Sequence, residues 1–331
     1  MQNLLEIKDL KITALRGKKT VPLLDSVSLN VQKKQCLGIV GESGCGKSIT
    51  ASALMGLLPY PLEVAGGSAL FDSGLFGKID LLQQRFHALR SIRGREIAMI
   101  FQEPMTSLDP VFTVEQQMAE ALLFHFPSMD AKDVRARSLE MLHRVHIPRP
   151  EQTLSSYPHQ LSGGQLQRIM IAIALINDPR LLIADEPTTA LDVTIQCQIL
   201  DLMNELIDKS DSSVIMITHD LGVIAETSQH VAVFYAGQIV EEAPVAELFH
   251  HPQHPYTVGL LRSISSLQGK GKNLYAIPGI VPPGGEWPHY CRFAARCEHA
   301  GERCLKGMPL LTEVAPGHLC RCFLNSREEQ A

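Results

Sequence analysis

The stretch Gly41-Glu42-Ser43-Gly44-Cys45-Gly46-Lys47-Ser48 constrains this chain more than any other. Its pattern, G-x-x-x-x-G-K-S, reads as a loop that cradles phosphate. The run before it, Cys36-Leu37-Gly38-Ile39-Val40, is apolar and short, as a buried strand requires. The residues after it, Ser48 to Leu58, read as a helix. Glycines let the backbone turn its N–H groups inward around an anion. The helix start adds partial positive charge at the same point. Lys47 then reaches the β- and γ-phosphates, the Ser48 hydroxyl can ligate Mg²⁺, and Ile49 completes the set of nucleotide-contact candidates.

Three further apolar runs end in polar residues. Ile97–Phe101 is followed by Gln102, Leu181–Ala184 by Asp185-Glu186, and Val214–Thr218 by His219. In open α/β sheets ligands bind at such strand ends. Asp185 is placed to hold Mg²⁺ through its water shell, and Glu186 to take a proton from an attacking water. Gln102 could touch Mg²⁺ or that water, and an imidazole at 219 could donate to a phosphate oxygen. Taken alone, the glutamine is a loop residue and the histidine a structural one. Their common position at strand ends makes them candidates. Leu161-Ser162-Gly163-Gly164-Gln165 precedes a helical run, Leu166–Ile176, with Ser162 placed as an N-cap. On its residues alone this is an ordinary helix cap that also exposes backbone N–H groups. Pro187 to Asp192 reads as a turn into a helix, Ile195–Ile207.

The rest of the chain fills in around these runs. Leu4–Ile12 and Val27–Val31 read as strands, joined through a turn at Arg16 to Lys19. Gly66-Gly67 suggests a turn into an edge strand, Ser68–Asp72, and Leu81–Ile92 is helical in spacing. Val114–Phe124 and Ala131–Val145 form a helical insertion, roughly Pro110–Ser156, and Val231–Tyr235 with Gln238–Glu241 forms a hairpin. With 331 residues, 45% of them hydrophobic, a sizeable core is expected. A net charge of −5 argues against binding nucleic acid through a broad basic surface. No apolar run approaches the roughly 18 residues of a membrane helix. The N-terminus shows no basic region leading into an apolar one, so no signal peptide is expected.

The set GESGCGKS, Gln102, LSGGQ, LLIADE, TALD and His219, in this order, resembles the ATP-binding subunit of an ABC transporter over roughly Leu4–Glu247. Phe101 to Pro110, Tyr157-Pro158-His159-Gln160, and His254-Pro255-Tyr256-Thr257 with a cysteine-bearing tail are similar to the oligopeptide/dipeptide/nickel importer branch. The resemblance implies a P-loop NTPase fold: an α/β RecA-like core, an antiparallel edge β-subdomain, a helical subdomain at about 110–165, and a small Cys-rich C-terminal extension. The ATPase domain would span 1–250 and the extension 251–331. It implies two ATPase subunits facing head to tail, with Ser162, Gly163, Gly164 and Gln165 of one serving the ATP of the other. Asp192 would cross that interface, and Gln102 would couple Mg²⁺ to two transmembrane permease subunits through the helical insertion. The second ATPase would be a related paralogue or a copy of this chain. An extracytoplasmic substrate-binding protein would take part indirectly, with no nucleic acid involved. The expected place is the cytoplasmic face of the inner membrane and the expected cargo a peptide, with nickel or haem as the alternative. From another class, the alternative is a soluble ABC ATPase acting on ribosomes or DNA. One departure stands out: Ala14, with Leu15 and Arg16, holds the place where the family stacks adenine on an aromatic.

Five of the eight cysteines lie between Cys291 and Cys322, and their spacings are not those of a common zinc finger. In a cytosolic chain such a cluster suggests a metal or cluster site before disulfides. Thiolates suit iron–sulfur clusters and zinc alike. The resemblance implies a [4Fe–4S] cluster on Cys291, Cys297, Cys304 and Cys322, with Cys320 as the alternate fourth ligand. Cys45 and Cys197 look incidental.

Overall fold

Two sheets carry the chain in the computed structural model, which describes residues 2–17, 19–103, 107–188, 193–208, 211–263 and 275–325. One is antiparallel and contains β1 (Asn3–Arg16), β2 (Lys19–Gln32), β4 (Leu62–Ser73) and β5 (Gly77–Asp80), in the order β2-β1-β4-β5. The other contains β3 (Cys36–Val40), β6 (Ile97–Ile100), β7 (Leu181–Asp185), β8 (Ser213–Thr218), β9 (His230–Tyr235), β10 (Gln238–Pro244), β11 (Thr312–Ala315) and β12 (His318–Cys320). Its order is β11-β12-β10-β9-β3-β8-β7-β6, parallel from β9 through β6 and antiparallel from β9 to β11.

Strands β3, β7 and β8 are buried at every residue, which explains their unbroken apolar sequences. Their side chains still alternate between two cores. Leu37, Ile39, Ile183, Ile215 and Ile217 pack with Leu5, Ile7, Leu10 and Phe71 of the antiparallel sheet. Val40, Leu182, Ala184, Val214 and Met216 point the other way, into a core shared with the helices. Those helices include Val114–Leu123, Ala131–Arg144 and Gly163–Leu175, and their starts are capped by Thr113, Asp130 and Ser162. Met118, Leu122, Met141 and Leu142 of the insertion join the same core as Ala98 and Ile100 of β6, through the helix Gly163–Leu175 that packs on that strand.

Three sequence readings change. β1 and β2 are each fourteen residues long, so both run well beyond the stretches expected. The turn expected at Gly66-Gly67 is a bulge inside β4, where the register with β1 shifts between Lys8 and Ile12. Gly67 has φ +95°, and a Cβ there would lie 2.6 Å from the Asp9 carbonyl oxygen. Paired glycines serve a turn or a bulge equally well, and the long antiparallel partner selected the bulge. β4 is consequently an interior strand, between β1 and β5, not an edge. The helix expected over Leu81–Ile92 divides into a 3₁₀ turn, Leu81–Gln83, and a helix, Phe86–Ile92.

The C-terminal region joins the main sheet: β12 pairs with β10 through Glu241↔Cys320 and Glu242↔Leu319. Glu241 is fully buried there. Its carboxylate accepts from the backbone N–H groups of Gln253 (2.6 Å) and His254 (2.9 Å) and lies 2.7 Å from His318 Nε2. A buried carboxylate needs such partners. His254 is buried as well and accepts at Nδ1 from the Tyr256 N–H. Burial pulls its pKa down to about 4, with Glu241 opposing and Arg321 assisting. The unfolded chain therefore takes up this proton first as pH falls. The contribution of His254 to stability is complete above the ordinary histidine range and is lost on the way down to about 4. His254→Gln, which keeps an acceptor and cannot titrate, should flatten the decline of unfolding free energy between about pH 7 and pH 5 in urea denaturation.

Candidate functional site

Parallel pairing brings the ends of β3, β8 and β7 side by side, since Val40 is level with Thr218 and Asp185 with Ile217. The loop Gly41–Ser48 leaves β3 and enters the helix Lys47–Leu54. Gly46 occupies the N-cap with φ +111°, and a Cβ there would lie 2.4 Å from Leu24 Cδ2. Cys45 is buried, and its carbonyl accepts from the Gly237 N–H at 3.0 Å, so it seals the underside of the loop. Lys47 is 5% exposed, and its ammonium donates to the carbonyls of Gly41 (2.7 Å) and Glu42 (3.1 Å). Ser43, Gly44 and Ser48 are exposed at the mouth.

The Ser48 hydroxyl donates to Asp185 Oδ1 at 2.9 Å. Burial raises the pKa of Asp185, the Ser48 hydrogen bond opposes this, and the neighbouring Glu186 adds to it. A hydroxyl and a carboxylate meeting beside a phosphate loop form an all-oxygen donor set, which fits Mg²⁺. Glu186 has a positive φ, 48°, a conformation a side chain adopts only when its surroundings impose it. Its N–H donates to the Ile217 carbonyl at 2.8 Å, which ties the turn to β8. Gln102 Nε2 donates to Glu186 Oε2 at 3.1 Å, and His219 Nδ1 lies 3.4 Å from Glu186 Oε1. The residues ending three separate strands thus converge on one carboxylate.

Ser162–Gln165 stand elsewhere, at the start of the helix Gly163–Leu175. The Ser162 hydroxyl accepts from the Gln165 N–H, and the Gln165 side chain accepts from the Ser162 N–H at 3.0 Å. Among the described residues no hydrogen bond joins them to the 41–48 loop. Asp192 lies outside the described residues. Ala14 is buried between β2 and β4, while Leu15 and Arg16 are exposed.

Sequence reasoning missed the contribution of the C-terminal region. Arg296 holds the Glu42 carboxylate with two nitrogens (2.7 and 3.0 Å), and the Tyr256 oxygen accepts from the Glu42 N–H at 2.9 Å. No spacing in the sequence links residues more than two hundred positions apart.

All eight cysteines are free thiols. Burial pushes the Cys322 thiol up to about 11, with smaller contributions in the same direction from Cys291, Cys297 and Cys304. Cys320 is buried beside Glu241 and accepts from Asn325 Nδ2 at 3.7 Å. Among the described residues no group of three or more His, Cys, Asp or Glu side chains is set to hold a metal ion. The four thiols therefore fit a thiolate-bound group in donor type, without the sulfurs being gathered around a metal position.

A phosphate loop after a parallel strand, an acid pair ending the next strand but one, and a separate helical insertion define an ATP-binding cassette. The ABC transporter family matches residues 24–189, and the oligopeptide/dipeptide transporter C-terminal region matches residues 240–304. The oligopeptide transport ATP-binding protein AppD of Bacillus subtilis is 47% identical over 328 residues, 99% of this chain and 98% of that one. The dipeptide transport ATP-binding protein DppD of the same organism is 45% identical over 331 residues, 100% of this chain and 97% of that one. Among solved structures, the dimeric, ADP- and Pi-bound cassette MJ0796 is 28% identical, with TM-score 0.64 over 73% of this chain and 98% of that one. The chain belongs to the ABC transporter family, as an ATP-hydrolysing, ATP-binding subunit of the oligopeptide/dipeptide branch.

The loop geometry has a direct test. Gly46→Ala should lower stability by about 1–3 kcal/mol in chemical denaturation, because left-handed backbone strain and the Leu24 overlap add together. Gly163→Ala, whose Cβ would meet nothing within 4 Å, should leave stability unchanged within about 0.5 kcal/mol.

Proposed function

We propose that this chain powers the import of peptides through a membrane transporter, working as one of two ATPase subunits that close on ATP between them. The observation that carries the chemistry is the convergence of Gln102 and His219 on Glu186, next to the Ser48–Asp185 pair. In this reading Glu186 accepts the proton of the attacking water, and its forced backbone aims the carboxylate at that water. His219 donates to the γ-phosphate and helps orient the water. Lys47 and the backbone N–H groups of residues 41–49 hold the phosphates. Ser48, Asp185 and Gln102 would hold Mg²⁺, which when bound neutralises phosphate charge.

The pairing of two subunits is supported by where Ser162–Gln165 stand: on the insertion, facing solvent, bonded to one another and not to their own phosphate loop. A helix start with free N–H groups suits a phosphate supplied by a second subunit. The solved MJ0796 relative is a dimer. Asp192 would lie at the same interface. Whether the second subunit is a copy or a paralogue decides nothing in this chemistry. A partly apolar cavity of about 600 Å³ lies between β6 and the insertion, lined by Leu57, Met99, Phe101, Phe112 and Met170. We assign it to a permease subunit, with Gln102 one residue from its wall. Among the described residues no helix is long and apolar enough to cross a membrane, so attachment to the cytoplasmic face would come through that contact. Peptide cargo follows from the relatives' names and the matching C-terminal region.

For the cysteines we propose a structural thiolate-bound group, [4Fe–4S] before zinc, on Cys291, Cys297, Cys304 and Cys322. It would cross-link a region with few buried apolar residues of its own. Metal analysis after anaerobic purification should find about four iron atoms per chain; stoichiometric zinc without iron would replace the cluster with a zinc site.

Glu186→Gln should lower turnover by about 10²–10⁴-fold, the range of a lost general base, while Mg·ATP binding persists. Steady-state hydrolysis and nucleotide titration of the same preparation check this; turnover at the wild-type rate removes Glu186 from the role. Affinity purification from solubilised membranes should recover two multi-span subunits with this chain. Recovery of soluble partners alone would remove the transporter reading.

A further inference from the structure

We infer that Arg296 is a positioning residue for the phosphate loop, through which the C-terminal region sets how tightly nucleotide is held. The inference rests on the reading of residues 41–48 as the ATP site.

Glu42 is the one acidic residue in the loop Gly41–Ser48, and it sits where a highly charged triphosphate must dock. Left alone, its carboxylate would repel that ligand. Arg296 meets it with two hydrogen bonds of 2.7 and 3.0 Å, the forked geometry that suits guanidinium and carboxylate. The arginine side chain is only 4% exposed. Its fork cannot swing away freely, because Nε donates to the Pro278 carbonyl at 2.8 Å. The Glu42 carboxylate is one-third exposed, so the pair is partly screened by solvent, and its forked geometry carries much of its worth.

Two further grips come from the same direction. Tyr256 accepts from the Glu42 N–H and packs its ring on Tyr235 and Phe293, with centroids 4.7 and 5.4 Å apart. Arg292 donates to the Ala236 carbonyl and to Asp25, both at 2.5 Å. The adjacent Gly237 N–H supports the Cys45 carbonyl inside the loop. Tyr256 and Arg296 therefore hold the start of the loop directly, and Arg292 reaches its midpoint only indirectly, through the 236–237 turn that it grips. None of these side chains belongs to the residues placed around Glu186. Their effect should fall on nucleotide affinity and not on the chemical step.

The test is a Mg·ATP binding titration and steady-state kinetics on the full-length chain. Arg296→Gln should weaken binding by about tenfold, the loss of one charge-assisted interaction. Turnover at saturating ATP should stay within about twofold, since uniform binding and not transition-state contact is removed. Adding Glu42→Gln to Arg296→Gln should restore affinity to within about threefold of wild type, because the uncompensated charge is gone. A merely structural arginine would lower stability without separating affinity from turnover in this way. Wild-type affinity in Arg296→Gln, or a double variant weaker than the single one, would overturn the inference. If Arg296→Gln fails to fold, Arg296→Lys keeps the charge without the fork and should weaken binding by about threefold; wild-type affinity there overturns the inference as well. Lys47→Ala is the control for the site itself. If it binds Mg·ATP like wild type, the loop is not the ATP site and the inference falls with that reading.

Discussion

Parallel hydrogen bonding among β3, β8, β7 and β6 decides where the side chains around Glu186 begin. Parallel strands buried on both faces cannot slip in register, because a one-residue shift would exchange their two hydrophobic sets. Leu37, Ile39, Ile215 and Ile217 are committed to one core and Val40, Val214 and Met216 to the other. The ends of these strands are consequently as fixed as their middles. The turn at Glu186 then inherits a strained backbone that the sheet has strength enough to impose.

The insertion is organised on a different basis. Its helices start at side-chain caps and pack against the helix Gly163–Leu175, which lies on β6, sharing a core that includes long flexible residues such as Met118 and Met141. Methionine tolerates small displacements better than branched side chains do. A rigid sheet beside a more adaptable helical layer is the arrangement expected when one part must hold phosphate and the other must move toward a partner. Gln102, with its side chain on Glu186 and its neighbour Phe101 at the cavity between the layers, sits on that boundary.

Much of this was legible in the sequence, for identifiable reasons. Buried strands read as apolar runs, and the phosphate loop is contiguous, so its glycines and lysine appear at fixed offsets. The polar residues that end strands were also visible, because a strand must leave the core where its sequence turns polar. Legibility failed where the determining partner was distant. Gly66-Gly67 became a bulge because β1 continues past it. The grip of Arg296 and Tyr256 on Glu42 had no local signal at all. Among the cysteines, 320 and 322 differ by where a short strand ends: Cys320 is the last residue of β12, opposite Glu241, and Cys322 lies beyond it.

The burial of Glu241 carries a consequence for how such chains can be recombined. The carboxylate belongs to β10 in the cassette, yet its partners, Gln253, His254 and His318, all come from the segment that follows. A chain cut after β10 would strand a charge in the core and leave the last sheet edge bare. An exchange of tails between two such subunits has to carry the matching acid and its donor pocket across together.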